Sequence, residues 1–117
     1  MSSIQHIPTP FSYSSAVVAG DTVFLGLHRG FGETFAEQFE SAFAALNATL
    51  AKLGLTVENL VKINVWLKEI NDLPEMEQRF HGHFAREHFP ARMTATTEFI
   101  DTDCLLMFDG VAYLTQR

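Results

Sequence analysis

A long amphipathic helix is the signal that most limits how this chain can fold. Thr34 and Glu37 have the spacing of a capping box, in which each side chain accepts a hydrogen bond from the other residue's backbone N–H. Apolar residues then recur at helical spacing up to Gly54, a residue type common at helix ends: Phe35, Phe39, Ala42, Phe43, Leu46, Leu50 and Leu53. Because the helix has a single apolar stripe, it must pack on a second layer of structure.

Strand patterns on both sides of this helix predict that second layer. Segments rich in β-branched and aromatic residues predict strands at 4–7, 22–25, 60–67, 92–99 and 104–114, whereas 12–15 is interpreted as loop. Asp72 and Glu75 have the spacing of a second capping box and predict a helix that runs to about Glu87. Two successive strand, helix and strand units predict an α+β domain, a two-layer sandwich with both helices on one sheet face.

The opposite sheet face is left uncovered in this arrangement. It is expected to include Leu60, Trp66 and part of the apolar run 105–108, which needs burial on both sides of the sheet. Association with further copies of the chain would cover it. The clefts between such copies are favoured places for small-ligand sites.

Length, charge and cysteine content exclude several classes of protein. The 117 residues predict one domain spanning 1–117, and a net charge of −6 with only eight Lys and Arg argues against a nucleic-acid partner. Cys104 is the only cysteine, so no intrachain disulfide can form and a reducing compartment fits. No basic leader precedes an apolar segment, and no apolar run approaches the ~20 residues that span a bilayer. We expect a cytoplasmic protein without membrane contact.

Arg92 is the candidate anion-binding residue. It stands at the start of a predicted strand in an acidic chain, and its guanidinium offers a rigid donor fork that matches a carboxylate. A surface arginine with an acidic neighbour is an equally weighted alternative. Asp109, inside a predicted strand, is the best candidate for handling protons, and the alternative is a carboxylate paired with Lys or Arg across an interface.

Histidines and the cysteine give weaker signals. His81 and His83 are two residues apart on a predicted helix and point in different directions, so no spacing supports a metal site. His28 follows a predicted strand end and is a candidate for orienting water, with a structural role as the more frequent alternative. Cys104 has no neighbour in sequence that would activate it as a nucleophile.

Several segments together resemble the Rid (YjgF, reactive intermediate deaminase) family across nearly the whole chain. They are Tyr13 before Ala16-Val17, the stretch Leu60–Leu67 followed by Ile70-Asn71-Asp72-Leu73, and Phe89-Pro90-Ala91-Arg92. The resemblance implies a chorismate-mutase-like fold, a mixed sheet and a homotrimer with sites between subunits. It also implies hydrolysis of enamine or imine carboxylates to 2-keto acids and ammonia without a cofactor.

The family pattern also assigns roles to particular positions. Arg92 matches the arginine that holds the substrate carboxylate, and Tyr13 matches a tyrosine that lines the cleft. Thr94 stands where many members carry cysteine, and Met107 stands where the active deaminases carry a glutamate. The strand end that usually reads Ser-Gly-Gln is Gly26-Leu27-His28, which brings Leu27 into the predicted site.

Two functions therefore remain open. The first is hydrolysis of a small enamine or imine carboxylate held by Arg92, with Asp109 or His28 replacing the glutamate. The second is a trimeric binder or sensor of small carboxylate metabolites, which Met107 favours because a thioether cannot accept a proton from water. The ribonuclease activity sometimes attached to the family conflicts with the acidic charge and ranks last.

Overall fold

A computed structural model describes residues 3–114, which form one six-stranded sheet with two helices. The strands are β1 (Gln5–Pro8), β2 (Ser14–Ala19), β3 (Thr22–Arg29), β4 (Leu60–Leu67), β5 (Ala91–Thr96) and β6 (Leu106–Tyr113). The helices are α1 (Phe35–Ala51) and α2 (Leu73–Phe80), and short 3₁₀ turns cover Val57–Asn59 and Ile70–Asp72. The strand order is β1-β2-β3-β6-β4-β5, and β4 with β5 is the parallel pair in an otherwise antiparallel sheet. The predicted α+β class and mixed sheet are confirmed.

Both helices pack on the same face of the sheet, as the single apolar stripes predict. Four buried phenylalanines join the layers: Phe39 and Phe43 from α1, Phe80 from α2 and Phe108 from β6. Their ring centroids lie 4.8 to 6.1 Å apart, mostly with tilted or edge-on planes, a favoured aromatic geometry. We call the opposite side of the sheet the open face.

The first helix begins and ends as predicted. Both hydrogen bonds of the Thr34 and Glu37 capping box are present, and Gly54 has a φ of 73°, in the left-handed region that glycine tolerates.

The second helix is shorter than predicted. It ends at Phe80 rather than near Glu87, and Asp72 makes no side-chain capping bond. The backbone N–H groups of His81, Gly82 and His83 instead bond three residues back, which tightens the chain into turns. Phe84 nevertheless packs on Phe43 and Phe80. In the sequence its spacing from Phe80 is therefore the same as that of a core residue in a further helical turn.

Several strand predictions need correction. Residues 14 and 15 belong to β2 rather than to a loop, and β3 continues to Arg29, so His28 lies inside a strand. An irregularity in the pairing between Leu60 and Lys62 turns Leu60 into the core, although strict alternation placed it on the open face. Strands β5 and β6 are also shorter than predicted.

No helix of the described residues is long and apolar enough to cross a membrane.

Candidate functional site

Arg92 lies on the helix-covered side of the edge strand β5. It pairs in register with Ile63, a core residue, so both side chains point toward the helix layer. Its Nη2 donates to Glu77 Oε1 at 2.8 Å, and its guanidinium carbon lies 5.1 Å from the centre of the Phe80 ring. The side chain is 30% exposed and lines a cavity of about 280 Å³, which we call the Arg92 cavity.

The acidic neighbour considered as an alternative is therefore present. Hydrogen bonding and charge from Arg92 lower the pKa of Glu77, which keeps this carboxylate ionised. The hydrogen bonds found within residues 3–114 occupy only Nη2 of the guanidinium, so its other nitrogens can bind a second carboxylate.

Thr94 lies on the same side of β5 as Arg92 but is not among the residues that line the Arg92 cavity. It is two residues from Arg92 and pairs with the core residue Val65, so it shares the Arg92 face. Its Oγ1 is buried and has no hydrogen-bond partner within residues 3–114. A buried hydroxyl without a partner costs roughly 1 to 3 kcal/mol, and a ligand or a second chain would remove that cost.

A second, larger cavity lies on the open face and has a volume of about 1120 Å³. We call it the open-face cavity. It brings together five of the predicted site residues: Tyr13, Leu27, His28, Met107 and Asp109. Tyr13 stacks on Phe11 with ring centroids 6.3 Å apart, and Met107 pairs with Trp66 in the sheet.

Within residues 3–114, neutral donors rather than a cation hold Asp109 in place. Its Oδ1 accepts from Asn64 Nδ2 at 2.6 Å and its Oδ2 accepts from Trp66 Nε1 at 2.8 Å. Asn64 and Trp66 are neighbours on the open face of β4, so the sheet itself orients the carboxylate. Each carboxylate oxygen retains a lone pair that can accept a proton or a hydrogen bond from water.

His28 is buried under α1, with 5% of its surface exposed. Its Nδ1 donates to the Gly26 carbonyl at 2.8 Å, which leaves Nε2 to accept from the Thr49 hydroxyl, also at 2.8 Å. Burial lowers the pKa of His28, while the Gly26 bond and the charge of Asp109 act in the opposite direction. A neutral ring whose two nitrogens are both hydrogen-bonded fits a structural role better than a role in proton transfer.

Pairing between distant segments creates three features of the sites that the sequence did not indicate. They are the hydrogen bonds from β4 to Asp109, the contact of Glu77 with Arg92 and the position of Arg29. Arg29 pairs with Met107, donates to Asp101 at 3.2 Å and lies 4.3 Å above the Phe31 ring at the edge of the open-face cavity. Only the alternation of Asn64 and Trp66 on one face of β4 hinted at a shared partner.

Metal binding finds no support in these residues. Within the part of the chain that the structure describes, no three His, Cys, Asp or Glu side chains are arranged to hold an ion. Cys104 is buried, its Sγ donates to the Leu106 carbonyl, and burial raises the pKa of its thiol, so it is not activated.

Comparisons with known proteins agree with this architecture. The family model described as endoribonuclease L-PSP matches residues 4–113. A RutC family protein of Pyrococcus abyssi is 27% identical over 115 residues, covering 91% of this chain and 90% of the relative. A 2-iminobutanoate/2-iminopropanoate deaminase of Dermatophagoides farinae is 29% identical over 96 residues, covering 74% of each chain.

Solved structures show the same fold. A YjgF-family protein of Neisseria meningitidis superimposes with a TM-score of 0.91 at 24% identity, covering 98% of both chains. A YjgF-family protein of Streptococcus pyogenes gives a TM-score of 0.86 at 28% identity, covering 97% of this chain and 98% of the other. With the match of the family model over residues 4–113, these likenesses show that the chain belongs to the Rid (YjgF) family, as its motifs indicated.

Proposed function

We propose that the protein hydrolyses a small enamine or imine carboxylate to a 2-keto acid and ammonia without a cofactor. The observation that carries the proposal is the Arg92 guanidinium, which lines a cavity and has nitrogens that no hydrogen bond within residues 3–114 occupies. The name of the mite relative supports the reaction type. The substrate carboxylate bonds to Arg92, with Thr94 as a neighbouring donor.

Two copies of the chain form each site in this proposal. Arg92 and Asp109 lie on opposite faces of one sheet, so a single chain does not bring them to one small substrate. A homotrimer would place the edge strand β5 of one copy against the open-face cavity of the next. It would also cover the apolar side chains that the open face exposes.

Asp109 performs the proton transfer in this arrangement. An oriented carboxylate accepts a proton from water as the water oxygen attacks the imine carbon, and it returns that proton to the imine nitrogen to give an amino alcohol. The hydroxyl proton of the amino alcohol then passes to the nitrogen as the C–N bond breaks, which releases ammonia and forms the carbonyl of the keto acid. Met107 cannot do this because a thioether is not a base at neutral pH. Tyr13 and Leu27 form the walls of the cleft, and His28 holds the end of β3 in place through its two bonds.

Release of ammonia and keto acid from 2-iminopropionate tests the proposal. The imine is generated in place by an amino-acid oxidase, and the rate is compared for the wild type, Arg92→Ala and Arg92→Lys. We expect acceleration by the wild type, its loss in Arg92→Ala, and partial recovery in Arg92→Lys, which restores charge without the fork. Full activity in Arg92→Ala would overturn the assignment of the carboxylate site.

Mixing two inactive variants tests the shared site. Arg92→Ala and Asp109→Asn are unfolded together, refolded together and assayed. If each site takes one residue from each of two copies, random mixing restores about a quarter of the wild-type sites. If the mixture stays as inactive as its components, the site does not lie between copies.

A binder or sensor of carboxylate metabolites is the second candidate. The observation that favours it is Met107 on the floor of the open-face cavity, where a proton-accepting side chain is expected for catalysis. In that case pyruvate raises the melting temperature of the wild type and not of Arg92→Ala, while imine hydrolysis stays at its spontaneous rate. The net charge of −6 argues against the endoribonuclease activity in the family description.

A further inference from the structure

The Arg92 cavity contains a carboxylate of its own. Glu77 lies on α2 one turn before Phe80, and its Oε1 accepts the 2.8 Å hydrogen bond from Arg92 Nη2. Both partners belong to one chain, so the pair is part of the subunit itself rather than of an interface between copies. Because Glu77 occupies one nitrogen of the guanidinium, a ligand carboxylate on the remaining nitrogens lies beside a second, negatively charged side chain.

Phe80 holds both charged side chains in position. It is 2% exposed, and its ring packs against three other buried phenylalanines of the core. The Arg92 guanidinium carbon lies 5.1 Å from the centre of this ring. Glu77 comes three residues earlier in α2 and therefore lies on the same side of the helix as Phe80. The packed core thus sets the relative positions of the positive and the negative charge.

Glu77 is ionised and retains an oxygen for a ligand. The hydrogen bond and the charge of Arg92 lower the pKa of Glu77, so its carboxylate is negative at neutral pH. The second carboxylate oxygen, Oε2, lies 3.7 Å from His81 Nε2, which is beyond hydrogen-bonding distance. This oxygen can therefore accept a hydrogen bond from a ligand that is bound to Arg92.

An imino acid carries the matching pair of groups on adjacent carbon atoms. Its carboxylate binds a cation, and its nitrogen bears an N–H that needs an acceptor. Apart from Arg92 and Glu77, the side chains that line the Arg92 cavity within residues 3–114 are apolar: Ile63, Phe80, Phe89 and Pro90. Glu77 is therefore the side-chain acceptor that this lining offers to the nitrogen. The keto acid product has a carbonyl oxygen at the same place, and that oxygen cannot donate to a carboxylate.

We propose that Glu77 determines the substrate class of this site by accepting a hydrogen bond from the substrate nitrogen while Arg92 binds the carboxylate. The site then prefers α-imino and α-amino acids to α-keto acids, and the charge of Glu77 favours departure of the product. This inference rests on the proposed function, because it takes a carboxylate bound to Arg92 as given. The competing role for Glu77 is to hold the guanidinium in place and nothing more.

Binding of alanine and pyruvate tests the inference without any turnover. Racemic alanine and pyruvate are carboxylates of the same length that carry a nitrogen and a carbonyl oxygen, respectively, at the second carbon. Their affinities follow from the rise of the melting temperature with ligand concentration, and Arg92→Ala gives the baseline for stabilisation that does not involve the site. We expect the ratio of alanine to pyruvate affinity to fall about fivefold in Glu77→Gln, the effect of one charge pair ~4 Å apart in water.

Glutamine separates the two roles of Glu77, because it keeps an oxygen for Arg92 and removes only the charge. If Glu77 only holds the guanidinium, the affinities for both ligands change by the same factor in Glu77→Gln. An unchanged ratio therefore overturns the inference. Glu75→Gln is the matched control, since it removes a charge from the same helix at a residue that accepts from Arg79 instead. It should leave the ratio within about twofold.

Hydrolysis of 2-iminopropionate, measured alongside, separates failure of the inference from failure of the proposed function. If the wild type hydrolyses the imine but Glu77→Gln keeps the wild-type ratio of affinities, the deaminase stands and the role of Glu77 is wrong. If no imine is hydrolysed but the ratio falls in Glu77→Gln, the site selects nitrogen-bearing carboxylates and the proposed hydrolysis is wrong. If Arg92→Ala responds to both ligands like the wild type and no imine is hydrolysed, both are wrong.

Discussion

Asp109 is the residue on which the proposed chemistry depends most directly. Replacing it with Asn removes the proton acceptor while keeping the size of the side chain, so kcat should fall about 10²- to 10⁴-fold, the usual contribution of general base catalysis. KM should change little, because Arg92 holds the substrate. Steady-state kinetics on 2-iminopropionate provide the measurement, and a wild-type kcat in Asp109→Asn contradicts the role.

His28 gives the fold a dependence on pH. Burial lowers its pKa below the ordinary 6.5, so the ring is neutral in both the folded and the unfolded chain well above that pH. As pH falls through about 6.5 the unfolded chain binds a proton that the folded chain does not. The free energy of unfolding then falls by up to about 1.4 kcal/mol per pH unit, until the folded ring also takes a proton.

Urea midpoints at about pH 7.5 and about pH 5.5 check this effect. The loss of stability at the lower pH should be smaller in His28→Gln than in the wild type, because glutamine does not titrate. His6→Gln serves as the control, since His6 is exposed, and it should behave like the wild type. An equal loss in His28→Gln would show that other groups cause the pH dependence.

Single residues were predictable where their own chemistry was enough. The paired donors of the Arg92 guanidinium predicted a carboxylate site, and the strand pattern around Asp109 predicted a carboxylate inside the sheet. Their partners were not predictable, because Glu77 and Trp66 come close to them only after α2 and β4 have docked. The sequence also did not indicate that Arg92 and Asp109 lie on opposite faces, since that depends on the register of β5 and β6 against β4.

At the scale of elements, the capping box of α1 makes a measurable contribution. Thr34 accepts from the Glu37 N–H at 3.1 Å, and Thr34→Ala leaves that donor without its partner. The free energy of unfolding should fall by about 1 kcal/mol, within the ~0.5–2 kcal/mol typical of such caps. Urea denaturation measures it, with Thr102→Ala as an exposed control that should be neutral.

The elements themselves were predicted to different degrees. The first helix was predictable because its capping box, its apolar stripe and the glycine after its end all indicate the same helix of about twenty residues. The second was predicted too long because Phe84 has helical spacing but packs from a turn. The strand β2 was missed because its serines resemble a loop, and the shift at Leu60 was missed because a bulge leaves the alternating pattern of the sequence intact.

The whole molecule is thin, because only one face of its sheet is covered by helices. We therefore expect it to associate with further copies through the open face. Its extents are 47 × 36 × 20 Å, and the shortest matches about one sheet and one helix layer. Phe24 stands on the open face with 52% of its surface exposed, together with the half-exposed Tyr113. A trimer would bury this surface.

Sedimentation equilibrium should therefore give three times the chain mass of 13.1 kDa. Phe24→Asp should shift the population toward monomer, because a carboxylate in an apolar contact costs several kcal/mol without a partner. Ile70→Asp places the same charge on an exposed residue outside the open face and should leave the trimer intact. A monomeric wild type would exclude the shared site.

The position of β5 at the edge of the sheet has a consequence for hydrogen exchange. Within residues 3–114 it pairs only with β4, whereas β6 is flanked on both sides. Amides of β5 should therefore exchange with solvent earlier than those of β6 in the isolated chain. Since Arg92 belongs to this strand, a carboxylate that binds it should slow exchange first along 91–96, and deuterium uptake would then locate the ligand without any assay of turnover.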